Sequence, residues 1–480
     1  MIVLYLVPGL LLALILVLLI NTAIRTSKAR KLNGSKPETT EEELQRYAEG
    51  LAEMLRCKTV SVKDSYDDTE FAKLRAVVEE RFPLLHEKAE RYLLGKDQDM
   101  WLYKIPGKDP NRNIMLMSHH DVVAAAADEN WTHEPFDGEI VDGKVWGRGA
   151  ADTKGSLCAI LFAMEEMLAE GFQPEVNVYV GSSHNEELGG DGITSALAWF
   201  QERGIRLEAV LDEGGAIVDP VLGNMNCTKC AMVAVHEKGR CRLICKATSE
   251  SSHISLTGYK HNPVDQMSAF IHEINRKNIF IRRLHPEVLG MFEGLAPYCG
   301  FPMNVLFCNL WLFSGVLKKV LPKINSTAGD MLGTTCAFQT IKGGITDKVC
   351  TATVMLRHVN DEDLQQDLAA FRAVAEKYGI EVEIERQEYY PPADMTGDAY
   401  AYAMKCIAEV FPEYPAAPYI LPAGTDAWKL TPICDCVLRF APTRMSKQQL
   451  GSIHAVDENL DAAAIYEAAV YYKHFVKNYR

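Results

Sequence analysis

The sequence predicts an α/β protein in two parts, a larger sheet-and-helix unit interrupted by a smaller one, behind a single apolar N-terminal helix. Three observations predict it. A chain of 480 residues exceeds one ordinary hydrophobic core. Short apolar runs alternate with helical patterns up to residue 231 and again from residue 392. Between them the pattern changes to strand, helix, two strands, helix and strand.

The N-terminal element is the plainest. Residues 1–20 carry no charged side chain, and a helix of that length spans about 30 Å, the thickness of a bilayer's hydrocarbon core. Residues 1–22 are therefore expected to form a transmembrane helix. A cleaved signal peptide is the rival reading, but the positive n-region and the small-x-small cleavage site are missing. Arg25, Lys28, Arg30 and Lys31 follow the apolar run, and positive charge marks the cytoplasmic side. A single-pass membrane protein with its larger part in the cytoplasm is expected. Asn325-Ser-Thr would be a glycosylation acceptor on the opposite side, but so short a tripeptide does not overturn this. Residues 23–40 read as a linker, with Gly34, Ser35 and Pro37.

The larger unit is expected over residues 41–231 and 392–480. Its strands are predicted at 113–117, 176–180, 209–211 and 436–440, its helices at 156–169, 193–202, 402–410 and 461–479. The smaller unit is expected over 232–391, with strands at 242–248, 334–340, 349–356 and 381–386 and a helix near 263–276. A second helix has Asn360 as cap, Leu364, Leu368, Phe371 and Ala375 on one face, and Gly379 as stop. This β-α-β-β-α-β order makes a small sheet with two helices on one side. Residues 301–321 are unusually apolar; a buried helix of the smaller unit is preferred there to a membrane or acyl-chain contact, since Asn304, Asn309, Lys318 and Lys319 interrupt the run.

The composition excludes some functions. Acidic side chains outnumber basic ones 64 to 50, which argues against nucleic acid as partner and suits metal cations. The 13 cysteines are scattered, mostly in apolar runs, and read as reduced thiols in a reducing compartment. Cys227-Thr-Lys-Cys230 has two-ligand spacing but no second pair at zinc-finger distance, so it reads as a loop with two free thiols.

The residues that carry chemistry follow predicted strands or lie on loops of the larger unit, where open α/β sheets bind ligands. Ser118-His119-His120-Asp121 follows the strand at 113–117. A neutral imidazole binds zinc well, and a carboxylate two residues on accepts its other N–H, so His119 is a candidate ligand and Asp121 its support. Gly147-Arg-Gly-Ala-Ala-Asp152 brings glycines for a close backbone approach and an Asp able to bridge two cations. His184-Asn-Glu186-Glu187-Leu-Gly-Gly190 offers one carboxylate for a metal and one for a water. Singly, each could be a hydrogen-bonded structural histidine or a solvated acidic face.

In this order, His-x-Asp, Gly-Arg-Gly-Ala-x-Asp and Glu-Glu-x-Gly-Gly resemble the M20 metallopeptidase family. The resemblance runs on through Leu211-Asp212-Glu213-Gly214-Gly215, Gly424-Thr425-Asp426 and Ile453-His454, and covers about residues 41–480. With the apolar residues 309–313 it looks like the branch holding Gly-X carboxypeptidase and the N-fatty-acyl-amino-acid hydrolase. It implies a zinc-exopeptidase-like catalytic domain with an inserted ferredoxin-like lid. It also implies two divalent ions, zinc in kind, and a peptide or N-acyl amino acid as substrate. Asp152 would bridge the ions; one would add His119 and Asp212, the other Glu187 and His454. Glu213, adjacent to Asp212, is equally capable. Glu186 would be the general base, and the lid's His253 would stabilise the oxyanion, across a homodimer interface. His120, His133 and His184 are left as structural residues.

Three departures concern the substrate. Where the family often has an arginine that grips a terminal carboxylate, this chain has Trp428, followed by Lys429, and both are candidate substrate contacts. The lid's usual Gly-His-Ser-Ser is Ser252-His253-Ile254-Ser255, and its usual Asn-Val-Ile-Pro is Lys348-Val349-Cys350-Thr351. The chemistry is thus expected intact and the specificity redrawn. A carboxypeptidase or aminoacylase is the favoured reading; an amidase or deacylase whose substrate lacks a free carboxylate, and a binding protein that has lost turnover, are the alternatives.

Overall fold

The computed structural model describes every residue except 1, 35–36, 64, 127–129, 250–261, 278 and 325. It opens on the apolar helix α1 (Ile2–Lys28). The helix outruns the expected 1–22 because residues 23–28 contain neither glycine nor proline. An 18-residue stretch within Val7–Lys28 has a mean hydropathy of 2.5, so by length and composition the helix could cross a membrane. The residues behind it are docked rather than loose: the Arg30 guanidinium donates to the carbonyls of Pro412 and Tyr414 at 2.5 and 2.6 Å.

The helix α2 (Glu41–Leu55) begins at a reciprocal cap, in which the Thr40 hydroxyl accepts from the Glu43 N–H and the Glu43 carboxylate from the Thr40 N–H. Such a cap contributes about 1 kcal/mol. After α3 (Asp68–Arg81) and α4 (Pro83–Lys88) come β1 (Glu90–Leu94), β2 (Met100–Ile105), β3 (Asp109–His119), β4 (Glu139–Val141) and β5 (Lys144–Trp146). Then follow α5 (Lys154–Ala169), β6 (Val176–Ser183), α6 (Gly192–Glu202), β7 (Ala209–Asp212), β8 (Ile217–Val218) and β9 (Cys230–Glu237).

The chain next makes β10 (Gly239–Thr248), α7 (Pro263–Arg276), α8 (Pro286–Leu295), α9 (Met303–Cys308), α10 (Leu310–Ile324) and α11 (Ser326–Asp330). β11 (Thr335–Gly344), β12 (Val349–His358), α12 (Asp361–Lys377) and β13 (Ile380–Glu388) follow. It ends with α13 (Asp398–Val410), β14 (Ala416–Leu421), β15 (Val437–Arg439), α14 (Lys447–Ser452), β16 (Asn459–Asp461) and α15 (Ala462–Asn478).

Among the described residues the large sheet has nine strands, in the order β1-β2-β6-β3-β7-β15-β9-β14, with β8 on β9. β3 lies between β6 and β7, parallel to both, and β7 is parallel to β15. β6, antiparallel to β2 and parallel to β3, is buried along its whole length because helices cover both faces of the sheet there. One face is covered by α2, α5 and α15 and the other by α6. α5 is apolar nearly all round because it is enclosed between the sheet and other helices.

The small sheet runs β11-β12-β10-β13, with every pair antiparallel. Its β10 alternates buried and open positions, and the buried set packs on Met267, Phe270 and Ile274 of α7 and Leu364, Leu368 and Phe371 of α12.

The apolar run at 301–321 is helical, as expected, and forms α9 and α10 with Phe307, Leu317 and Leu321 buried; with α8 they pack on Met232, Ala417 and Ile420 at the edge of the large sheet rather than on the small one. That edge strand, β14, needs a cover, and periodicity cannot say which sheet an apolar helix will cover.

Candidate metal centre

The C-terminal ends of the parallel strands β3, β6 and β7 point the same way, so the loops that follow them meet at one edge of the large sheet. His119 ends β3 and is buried. Its Nε2 lies 3.1 Å from Asp152 Oδ1 and 3.5 Å from Glu213 Oε1. On the far side of Asp152, His454 Nε2 lies 3.0 Å from Asp152 Oδ2 and 3.1 Å from Glu187 Oε2. One carboxylate is thus shared, an oxygen to each side, between two histidine-carboxylate groups, and each set of three donor atoms falls within 4.8 Å.

The sequence reading assigns Asp212 to the first group, with Glu213 as its rival, and the structure brings Glu213 there. Asp212 is the last residue of β7 and Glu213 the next, and neighbours on an extended strand point to opposite sides. Asp212 is buried beside Asp426, its Oδ2 without a partner, and burial first, then that carboxylate, pushes its pKa up to about 7.

The two motifs on β3 and β6 are locked by Asp121. Its Oδ1 accepts from the Glu186 N–H at 3.1 Å and its Oδ2 from the Glu187 N–H at 3.2 Å, while Oδ1 also lies 3.3 Å from His119 Nδ1. The role expected for Asp121 was support of His119; the structure adds the positioning of both adjacent glutamates. The loop that presents Asp152 is held by a residue the sequence reading missed, Glu458. Its Oε1 accepts from the N–H groups of Gly149, Ala151 and Asp152 at 3.1, 2.9 and 3.1 Å, and its Oε2 pairs with Arg148 at 2.7 Å. Only the chain's need for an acceptor in a glycine-rich turn points to such a residue, and nothing in the local sequence singles it out.

The electrostatics call for cations. Burial pushes Glu186 up to about 9 against the opposing pull of His119, with Asp426, Asp121 and Asp152 adding to the rise. Burial and Asp152 raise Glu213 well above its ordinary value. Hydrogen bonds to Asp152 and Glu187 raise His454 to about 10. Three carboxyl groups, Asp152, Glu187 and Glu213, around two imidazoles, with Glu187 Oε1 buried and unpaired, form an oxygen- and nitrogen-donor set that two divalent ions fit.

The remaining site candidates are placed as follows. Lys429 Nζ donates to Asp426 Oδ1 at 2.9 Å and to the Gly190 carbonyl at 2.6 Å, so the expected substrate cation is tied into the wall of the cleft. Trp428 stacks on Tyr390, ring centres 3.9 Å apart. His120 stacks on Trp101, His133 pairs with Glu139, and His184 sits edge-on to Tyr66, all away from the two groups. His253, with Ser252, Ile254 and Ser255, lies outside the described residues.

Comparison with known proteins adds the family. The chain is 28% identical to the N-fatty-acyl-amino acid synthase/hydrolase PM20D1 of Xenopus tropicalis over 490 aligned residues, covering 98% of this chain and 93% of that protein. It is likewise 28% identical to a probable carboxypeptidase S-like 2 of Dictyostelium discoideum, covering 98% and 93%. The crystal structure of an M20 family metallo-carboxypeptidase, Sso-CP2 of Sulfolobus solfataricus, superposes with a TM-score of 0.63 at 18% identity over 91% of this chain and 99% of that one. A profile of peptidase family M20/M25/M40 matches residues 115–478. The chain belongs to that family, and is a metal-dependent hydrolase of carbon–nitrogen amide bonds.

Proposed function

We propose that the protein cleaves a linear amide, the C-terminal bond of a peptide or the acyl bond of an N-acyl amino acid, with two zinc ions. The observation that carries this reading is the division of Asp152 between His119 with Glu213 and Glu187 with His454. When bound, the ions supply Lewis acidity to the amide carbonyl and lower the pKa of water. Asp121 and Glu458 fix the two loops, so that the donors need no rearrangement. Glu186 takes a proton from the attacking water and delivers it to the leaving nitrogen as the carbon–oxygen bond forms and the carbon–nitrogen bond breaks. Motif position gives His253 the oxyanion contact, supplied by the small-sheet domain acting as a lid, in a homodimer paired through it.

For the substrate's carboxylate, Arg240 replaces the family's missing arginine. It opens the small sheet on β10, and its Nη2 lies 2.2 Å from where a Cβ on Gly424 would sit, beside Thr425 and Asp426. Among the described residues no acceptor pairs with it, and its Nε is buried without a partner. Arg357 stands opposite it on β12 and Glu388 opposite it on β13, where the Glu388 carboxylate is already met by Tyr390 and Arg386. The nearby Glu237 is occupied by Thr425 and Arg439.

We also place α1 across a membrane, with the catalytic domain in the cytoplasm, on the basic residues from Arg25 to Lys31. Cleavage of a C-terminal tag by protease added outside intact cells would refute that orientation.

The test is amine release by the zinc-loaded full chain, beside Glu186→Gln, from N-acyl amino acids, dipeptides and their C-terminal amides. Base-dependent release from free-carboxylate substrates alone is expected. Release from the amides as well would make the enzyme an amidase of another substrate class, and no release from any would overturn both proposed substrates.

A further inference from the structure

The surface of α10 is unexplained by the chemistry. Leu317 and Leu321 turn inward to the cluster against the large sheet, whereas Leu312, Val316 and Val320, spaced four apart, stand 40%, 59% and 39% exposed. Trp311 is 61% exposed and Phe301, just before α9, is 74% exposed. A contiguous apolar face on a helix with no partner marks a contact with something apolar.

Its place relative to α1 says what. Asn309, fully buried between α9 and α10, donates to the Leu18 carbonyl at 3.2 Å and to the Thr22 hydroxyl at 3.1 Å, and its Oδ1 accepts from Asn21 Nδ2 at 2.9 Å. The corner between α9 and α10 is therefore bolted to the last turns of the apolar run. The first charged side chain of α1 is Arg25, seven residues or about 10 Å beyond Leu18 at the helical rise. A bilayer crossed by α1 has its polar boundary at that level. α10 starts beside Leu18 at Leu310, and its Trp311, Ser314 and Lys318 line one cavity with Arg25, so its exposed face runs through that boundary. Trp311, whose Nε1 donates to Asn309 Oδ1 at 3.2 Å, has the amphipathic ring that favours such a zone.

Charge agrees. A cavity of about 530 Å³ opens between α1, α8 and α10, walled by Leu289, Phe307 and Trp311 and ringed by three cations, Arg25, Arg283 and Lys318, and one anion, Glu293. Arg25 is paired with Glu293 at 3.4 Å and Arg283 with Asp363 at 3.0 Å, which leaves Lys318 without a partner among the described residues.

We propose that α10 is a second membrane-contacting element, lying in the headgroup region of the bilayer that α1 enters, with the adjoining basic cavity receiving an anionic phospholipid headgroup. The occupant is the bilayer itself. α1 and α10 then hold the catalytic domain at two points and fix its tilt over the membrane, where one helix alone would leave it free to swing.

The full chain reconstituted in vesicles of brominated phosphatidylcholine, with and without phosphatidylserine, tests this. α1 contains no tryptophan, and of the six in the chain Trp311 is the exposed one. Bromine quenching of tryptophan fluorescence is expected, strengthened by phosphatidylserine, lost for the most part in Trp311→Phe and deprived of the phosphatidylserine response in Lys318→Gln. Both variants keep the amide hydrolysis of the parent in detergent. Equal quenching in the parent and Trp311→Phe, or none in either while α1 resists carbonate extraction, overturns the proposal. So does shielding of Trp311 by a second copy in lipid-free detergent.

Discussion

On the wall formed by β3, β6 and β7, every carboxylate and imidazole of the metal cluster is fixed by another motif; on the wall formed by β10 and the loop after β14, the groups proposed to face the substrate are an arginine without an acceptor among the described residues and a stacked indole. Asp121 ties His119 to Glu186 and Glu187, and Glu458 ties the Asp152 loop to the segment after His454. Among the described residues Arg240 meets no acceptor, and Trp428 is held by stacking on Tyr390, whose hydroxyl donates to Glu388. A wall whose members hold one another resists change residue by residue, because removing one leaves others buried and unpaired. The opposite wall can exchange one cation for another from a different strand without disturbing the ions.

The comparison is broken most severely at its centre. Asp152→Asn is expected to lose both ions, read by plasma emission, together with all amide hydrolysis, since one oxygen on each side is required. Glu186→Gln is expected to lower kcat by about 10²–10⁴-fold with both ions retained, the range for a removed general base. If Glu186→Gln also lost its metals, Glu186 would be a ligand and the division of labour between the two glutamates would be wrong.

The next effect separates neighbours. Glu213→Gln is expected to lose one ion and Asp212→Asn to keep both, as equilibrium dialysis would report. The same experiment has a pH sense. Without metal, His454 titrates near 10 and Glu213 well above its ordinary value, so at pH 7 the cluster carries protons that the ions must displace. Loading should therefore release protons, and apparent affinity should fall as the pH is lowered, seen by calorimetry in buffers of different ionisation enthalpy. A pH-independent affinity between pH 6 and pH 9 would mean that these groups are not ligands.

Glu458→Gln reaches the metals through the backbone. It leaves Arg148, itself buried, without its ion pair, which costs about 3–5 kcal/mol. It also loosens three N–H groups that present Asp152. A fall of about 10- to 100-fold in metal affinity is expected, the range for partners of metal ligands, along with a lower Tm of the metal-free chain. A lower Tm with unchanged affinity would make Glu458 structural only.

The difference between the walls also governs what was legible in the sequence. The metal wall is built at strand ends, where a short motif such as Ser118-His119-His120-Asp121 carries both the strand and the donor, so pattern and position agree. The choice between Asp212 and Glu213 turned on which way one residue faces past the end of β7, which a run of two acidic residues does not encode. Glu458 and Arg240 act through contacts 306 residues away in the first case and across two sheets in the second, and long-range partners leave no local mark. For the same reason the sequence shows that α10 is apolar and not that it covers β14 and meets α1.

The smallest expected effect is the one that sharpens the comparison, because it falls on the substrate wall alone. Arg240→Gln removes a cation but keeps a polar side chain of similar reach, and a hydrogen bond to a charged group contributes about 1.5–3 kcal/mol. KM for free-carboxylate substrates is then expected to rise by about 10- to 100-fold, with kcat, metal content and Tm near those of the parent. Arg240→Lys should recover part of the loss, since an ammonium keeps the charge without the fork that fits a carboxylate. Gly424→Ala should mimic it from the other side, because the added methyl would lie 2.2 Å from Arg240 Nη2 and must displace the guanidinium. If KM moved equally for a carboxylate substrate and its amide, Arg240 would be shaping the cleft without reading the charge. If neither moved, the carboxylate would be met by another group, and the independence of the two walls would rest on Trp428 and its stacking partner.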